Sequence, residues 1–524
     1  MRGWHKIAAG AAALLLLAAY AIGWRAPAVG TFHDDGVYLV TAKALAEGKG
    51  YRIISLPEAI PQTKYPVLFP LVLAALWKLD PEFPGNLWWL KLAPLFAAAA
   101  WLWVSYRLLR QEGVGVAPAT GIVLLAAASP WVVYLSTALL AETLFAFLAT
   151  AAVMLVRRIE QGSAGRWCWL AAAVLAAGAF HTRTAGIAIV IAAPVVLWLK
   201  QYRRESVGFA VCAVILCAPW VLWSAAQQLP QTDPYYTKAN YLGWNIVLNF
   251  TWPQKAFILF QNSVIVLLSP MKLAGLPATG PLALPAGIAG ALALIGLLRT
   301  GRTAITGFVL CYLALVCCWA WHPGRLLVPL LPLLLWGGWR ILERLPARSR
   351  IAAATITAAT VLGSLGAASI RTHRLGDPLP ALDDGDSWAG QVQLFQWTKQ
   401  HTPKEAILAG NLDPLYFLMT GRKAVRGFTA DPYGLLYRQA PDPIGTKEQV
   451  LQGLENLGAR YWLGSPNSAF AEGPLLRKMQ AELAELGRML LKQLPQDEAG
   501  TFHLYEIREH SAHAFGTRKE PQLR

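Results

Sequence analysis

The strongest constraint on this chain is a series of apolar runs, most of them long enough to cross a bilayer, punctuated by short basic loops. In lipid each backbone N–H and C=O must find its partner inside the segment, so such runs fold as helices. A span takes about 17–25 residues. Runs of about that length are predicted to form spans at 7–24, 87–109, 116–133, 137–156, 166–180, 184–200, 207–226, 281–298, 303–320, 326–342 and 351–370, about eleven in all. The pair 166–180 and 184–200 is short and joined by a tight turn. Composition agrees: 55% of residues are hydrophobic and 15% charged, where a soluble domain carries about a quarter charged residues. The first run, Ile7 to Trp24, follows Arg2 and Lys6 like the start of a signal peptide. It ends in Ile22-Gly23-Trp24-Arg25 with no small-x-small exit, and reads as an uncleaved signal-anchor with Trp24 at the interface.

A net charge of +16 raises the question of nucleic acid. The basic residues instead mark the ends of apolar runs, as topology signals do, and no nucleic-acid partner is expected. Arg107, Arg110, Arg157, Arg158, Lys200, Arg203, Arg204, Arg299, Arg302 and the cluster from Arg340 to Arg350 all fall on one side, with Arg2 and Lys6. That side is assigned to the cytoplasm, which leaves 25–86, 227–280 and everything beyond about 370 outside. Ala256 to Leu268 is apolar but interrupted by Gln261, Asn262 and Ser263 and closed by Pro270. At about thirteen residues it is expected to be an interfacial or re-entrant helix rather than a span. The six cysteines (Cys168, Cys212, Cys217, Cys311, Cys317, Cys318) lie in apolar stretches and carry neither metal-site spacing nor a disulfide framework.

The division expected is a membrane module over 1–370, a Pro-Gly-Asp-rich linker at 371–387, an α/β domain at 388–508 and a disordered tail at 509–524. In the α/β part, short apolar runs at Ala406–Ala409 and Ala459–Leu463 alternate with helical patterns at 388–400, 446–457 and 473–487. A last strand, Thr501 to Ile507, alternates with period two.

The candidate chemistry gathers on the outer side. Asp34 and Asp35 follow His33 and open an amphipathic helix that runs to Glu47 and can end at Gly48. One carboxylate suffices to cap a helix; two beside a histidine fit a cap and a reactive site equally well. Pro61, Pro66 and Pro70 stiffen the next stretch, where Lys64 can meet a lipid phosphate or simply snorkel. Glu142 lies about one and a half turns inside a predicted span, where an ionisable group marks a functional site or a buried ion pair. Arg183 in His181-Thr182-Arg183, and His322 and Arg325 in Trp321-His322-Pro323-Gly324-Arg325, sit at outer turns. Tyr235, Tyr236, Tyr241, Trp244 and Trp252 can stack on a sugar, cover the site, or form an interfacial belt. Asn411-Leu412-Asp413-Pro414 and Gly421-Arg422-Lys423 are too common to name a ligand.

An acidic pair after the first span, an amphipathic helix and then Lys64-Tyr65-Pro66 leading to Pro70 resemble the GT-C glycosyltransferases, in particular bacterial protein O-mannosyltransferases and lipid A aminoarabinose transferases. The Glu142 segment, His181 to Gly186 and Pro323 to Pro332 add to the likeness, which covers about 1–370. The chain departs from the pattern at Asp35, where Glu is frequent, at Tyr65, which replaces the first Pro of a pair, and at Leu326, where Tyr often follows the Arg.

The resemblance implies a polytopic α-helical membrane protein of GT-C type with a C-terminal extracytoplasmic α/β domain, in a bacterial cytoplasmic membrane. It implies an inverting transferase moving a sugar from a polyprenyl-phosphate donor to a hydroxyl of a lipid, glycan or protein. In that frame Asp34 is the general base, with Asp35 beside it. Lys64, Arg325 and Arg183 hold the donor phosphate, and Glu142 and His322 orient the acceptor. In some relatives a divalent metal between these acids is possible; the sequence offers no octahedral ligand set, so none is assigned. The competing readings are a lipid-linked sugar flippase or transporter, and a glycan ligase or polymerase. A transporter should show internal repeats, and no convincing repeat is found.

Overall fold

A computed structural model describes residues 2–227, 233, 235–236, 250–276, 278–375, 388–438, 440, 442–464, 473–492 and 503–508. Tyr241, Trp244, most of the expected linker and the 509–524 tail fall outside the described residues. Among the described residues, six helices are long and apolar enough to cross a membrane: Leu87–Gln111, Arg203–Ala226, Trp252–Leu273, Gly280–Leu298, Gly324–Leu342 and Ala347–Arg374. A bent pair makes a seventh. Shorter apolar helices, among them Cys168–Thr182 and Ala304–Cys317, lie where other spans are predicted. The count of about eleven is therefore not reproduced by length and composition alone. The six cysteines are free thiols.

Two departures from the expected helix map bear on the site. The predicted spans 116–133 and 137–156 divide differently, into Val116–Ala127, Pro130–Thr137 and Glu142–Glu160, with a 65° bend between the first two. Pro130 cannot continue a helix from the preceding turn, but it suits the first position of a new one, which Ser129 caps through Val132 N–H. Ala138 is extended, and Leu139 N–H donates to the Ala28 carbonyl. Glu142 consequently opens its helix instead of lying inside it.

The second departure is Trp252–Leu273, a continuous helix of 22 residues where a segment of about thirteen is expected. A capping box joins Thr251 and Gln254, Ser263 Oγ donates back to the Leu259 carbonyl, and Pro270 falls in the last turn, so none of the polar residues breaks it. Length and composition would let it cross a membrane. Phe257, near its start, lies against Tyr433 and Tyr437 of the C-terminal unit, and the Leu273 carbonyl at its end accepts from Ser129. Ser129 follows Val116–Ala127, a helix whose start lies near Glu112, on the far side of the bundle with Arg157.

Helices meet closely where side chains are missing. A Cβ on Gly296 would run into the Gly337 carbonyl oxygen, and one on Gly337 into that of Ala293. On the far side Arg157 pairs with Glu112 and Glu160, and Glu160 accepts from Ala304 N–H at 2.9 Å.

The C-terminal unit is a five-stranded sheet in the order Ala424–Val425, Ile407–Ala409, Ala459–Gly464, His503–Ile507, Met489–Lys492. The first three strands are parallel and the last two pairings antiparallel, with Leu408 opposite Ala424 and Trp462 opposite Tyr505. Helices Trp388–His401, Lys447–Asn456 and Gly473–Glu485 accompany it. The unit sits on the 25–86 loop. Ala424 N–H donates to the Ser55 carbonyl at 2.9 Å, and Lys423 Nζ donates to Ile54 and Leu56 carbonyls. Helix Asp413–Thr420 lies on helix His33–Ala46, where Gly36 leaves room for Pro414.

If the Gly296–Gly337 approach holds the bundle, Gly296→Leu lowers stability by about 1–3 kcal/mol. Gly363→Ala, in an open stretch of helix with nothing within 4 Å, should instead be neutral or gain up to about 1 kcal/mol. Thermal unfolding of the detergent-solubilised chain reads both.

Candidate active site

Successive residues of a helix point about 100° apart, and the acidic pair divides its work accordingly. Asp35, third residue of helix His33–Ala46, turns back so that Oδ2 accepts from Gly30 and Phe32 N–H, each at 3.1 Å. It is fully buried and Oδ1 has no hydrogen-bond partner. Burial pushes its carboxyl up to about 7 although three backbone N–H groups oppose this; neighbouring Asp34 adds to the rise.

Asp34 faces the other way, into a cluster of cations. Arg325 Nη2 donates to Oδ2 and the Tyr65 hydroxyl donates to Oδ1 at 2.5 Å. Burial alone would raise this carboxyl too. Arg325, then Lys64, the Tyr65 hydrogen bond and Arg183 outweigh it and hold Asp34 well below the usual carboxylate range. Two adjacent aspartates thus end at opposite extremes. Tyr65, at a position where the sequence departs from the family pattern, is a direct partner of the expected base.

Glu142 joins the arginines. It lies 2.6 Å from Arg183 Nη1 and 3.5 Å from Arg325 Nε, approaching as charge to charge rather than as an aligned hydrogen bond. Arg325 stacks over Phe32 with its guanidinium carbon 3.9 Å from the ring centre, and its buried Nη1 has no hydrogen-bond partner. Lys64 Nζ lies 3.2 Å from the Tyr235 hydroxyl and within 5.0 Å of the Tyr65 and Tyr235 ring centres. Burial pushes its ammonium down to about 7; Asp34 opposes this, while Arg426 and Arg325 reinforce it. Beside Lys64 lies a narrow recess walled by Tyr65, Tyr235, Tyr236 and the apolar Val37, Ile53 and Ile60.

The structure thus brings Asp34, Lys64, Arg183, Glu142 and Arg325 together, with Asp35 beneath them. His322 is not among them. Its ring stands edge-on to Tyr437 at 5.3 Å, and burial together with nearby Lys272 lowers its basicity.

Several buried polar residues at this place escape the sequence reading. His33 Nε2 lies 2.9 Å from Asp413 Oδ1, and Tyr236 donates to Asp413 Oδ2 at 2.6 Å. Asp233 accepts from the N–H groups of Tyr235, Arg426 and Gly427. Arg426, itself buried, stacks on Tyr235 with its guanidinium carbon 4.2 Å from the ring centre. The sequence signals were His33 beside the acidic pair, Tyr235-Tyr236, which can stack on a sugar, and Asn411-Leu412-Asp413-Pro414, too common to name a ligand.

Among the described residues, no three His, Cys, Asp or Glu side chains converge as metal ligands would. Asp34 faces Arg325 and Tyr65, and Asp35 faces backbone N–H groups, so the donor set does not fit an octahedral ion.

This architecture has solved counterparts. The chain matches ArnT, the lipid A aminoarabinose transferase of Cupriavidus metallidurans, bound to undecaprenyl phosphate, with a TM-score of 0.58 and 13% identity over 96% of this chain and 98% of that one. The apo state of that enzyme gives 0.53 at 14% identity, over 96% and 98%. The Archaeoglobus fulgidus oligosaccharyltransferase, in complex with Zn and sulfate, gives 0.51 at 12% identity, over 86% of this chain and 67% of the other. No family model and no curated protein matches the sequence. The likeness defines the class: a polytopic α-helical membrane protein with the GT-C fold and a small C-terminal sheet unit.

The two roles assigned to the acidic pair separate experimentally. Asp35→Ala should cost about 1–2 kcal/mol of stability by freeing two N–H groups. Asp35→Asn, whose Oδ1 can accept both, should recover most of that loss in thermal unfolding.

Proposed function

We propose that this chain is an inverting glycosyltransferase that moves a sugar from a polyprenyl-phosphate donor to an acceptor hydroxyl, at the outer face of a bacterial cytoplasmic membrane. The observation that carries the reading is Asp34 held between Tyr65 and Arg325, with Lys64 and Arg183 close by. Three cations to two carboxyls, Asp34 and Glu142, suit an anion. The Arg325 Nη1 without a protein acceptor is a donor that a phosphate oxygen would satisfy. The likeness to a structure bound to undecaprenyl phosphate supports the same donor class.

Asp34 accepts the proton of the acceptor hydroxyl as that oxygen bonds to the anomeric carbon from the face opposite the phosphate. The bond from the anomeric carbon to the phosphate oxygen breaks, and polyprenyl phosphate leaves with the electron pair. Lys64 and Arg325 stabilise its growing negative charge. A phosphate that draws Arg325 toward itself also relieves Asp34 of its strongest counter-charge and makes it a better base. Arg183 acts at one remove: with Glu142 it fixes the position of Arg325. Asp35 anchors the helix that presents Asp34.

Two measurements test this. In liposomes supplied with a polyprenyl-phosphate sugar and acceptor, the protein should release polyprenyl phosphate, and Asp34→Asn should lower kcat by about 10²–10⁴-fold. Movement of intact donor across the bilayer without cleavage would sink the enzyme reading. The pH profile supplies the second. Lys64 is charged below about 7 and neutral above it, so kcat/KM for the donor should fall as pH rises through about 7, approaching tenfold per unit. Lys64→Arg, which stays charged, should flatten that limb.

A further inference from the structure

Four side chains from four separate stretches form one hydrogen-bonded line. Asp413 Oδ1 lies 2.9 Å from His33 Nε2, His33 Nδ1 lies 3.3 Å from the Tyr235 hydroxyl, and that hydroxyl lies 3.2 Å from Lys64 Nζ. A charged Lys64 allows one polarity along the whole line. A charged lysine only donates, so the Tyr235 oxygen accepts from Lys64, and its own hydrogen can go to His33 Nδ1 in the tautomer that leaves that nitrogen an acceptor. His33 then carries its hydrogen on Nε2 and gives it to Asp413. The line runs from the Asp413 carboxyl in the C-terminal unit, which burial pushes up to about 7, to the Lys64 amine at the membrane-side site, which burial pushes down to about 7. Asp413 and His33 are almost wholly buried, where an oriented chain of this kind is stronger than its links would be in water.

We propose that Asp413, acting through His33 and Tyr235, is a positioning residue that aims the Lys64 ammonium at the donor phosphate and favours its charged form. The C-terminal unit is then a working part of the site. The inference rests on the reading of Lys64 as a phosphate ligand given above. Other groups also face the two ends. Asp34, Arg325 and Arg426 act on Lys64; Tyr236, Arg426, Asp233 and Tyr416 surround Asp413. Tyr236 braces the same line, donating to Asp413 Oδ2 at 2.6 Å with its hydroxyl 3.3 Å from His33 Nε2.

The test is binding by the full chain in nanodiscs of a polyprenyl-phosphoryl mannose, a phosphodiester whose single charge is constant between pH 5.5 and 9. Wild-type affinity should fall through a midpoint near pH 7. Tyr235→Phe and Asp413→Asn should each weaken binding at pH 7 by about tenfold and move the midpoint about one unit lower. Because both break one line, the double variant should be no worse than the single ones. Variants that lower the unfolding temperature but leave the midpoint in place would show the line to be packing only, and overturn the relay. Additive losses in the double variant would overturn it as well. Wild-type binding that does not vary with pH would instead overturn Lys64 as the phosphate ligand, a failure of the functional reading itself.

Discussion

A buried carboxylate stays ionised only if cations are fixed beside it, and the arrangement here is organised around that requirement for Asp34. Its stabilisation is spread over residues from distant parts of the chain. Arg325 opens the stretch Gly324–Leu342, Lys64 and Tyr65 belong to the loop after the first helix, and Arg183 stands between two apolar helices. Glu142 then restrains both arginines. Removing any member leaves another charge buried without its partner, which is costly in a low-dielectric site. The group is therefore better viewed as one electrostatic unit than as separate pairs.

Local backbone devices place these charges. The break at Ser129-Pro130 ends one helix early, and the extended Ala138 hands Leu139 to the Ala28 carbonyl. That puts Glu142 at a helix start, close to the acidic pair, without sinking it into the apolar layer. The cap made by Asp35 fixes where helix His33–Ala46 begins, and so which way Asp34 points. Neither device requires a rare residue; each uses an ordinary helix-end preference at a position where a charge is needed.

Much of this was legible in the sequence. Long apolar runs announce helices, and the spacing of basic loops gathers Asp34, Lys64, Glu142, Arg183 and Arg325 on one side. What stayed hidden depended on contacts between distant stretches. Asp413, Arg426 and Asp233 have no periodic pattern that ties them to His33 or Tyr235. The extra length of Trp252–Leu273 was missed because Gln261, Asn262 and Ser263 read as a break, whereas Ser263 bonds its own helix and Asn262 reaches the Cys317 and Trp319 carbonyls. Helix polarity misled too: a run through Pro130 looked continuous because apolar residues lie on both sides of it.

His33 and Asp413 touch across 380 positions of sequence. A ribosome delivers the acidic pair to the membrane long before it delivers Asp413, so the first loop waits, incompletely covered, while most of the bundle is inserted. Closure comes late, by a contact of very long range, which is the slow kind to form. A chain truncated before helix Asp413–Thr420 would keep its membrane helices and most of its charges, yet leave His33 without its carboxylate partner. The contact that covers His33 thus depends on one of the last site residues to be synthesised.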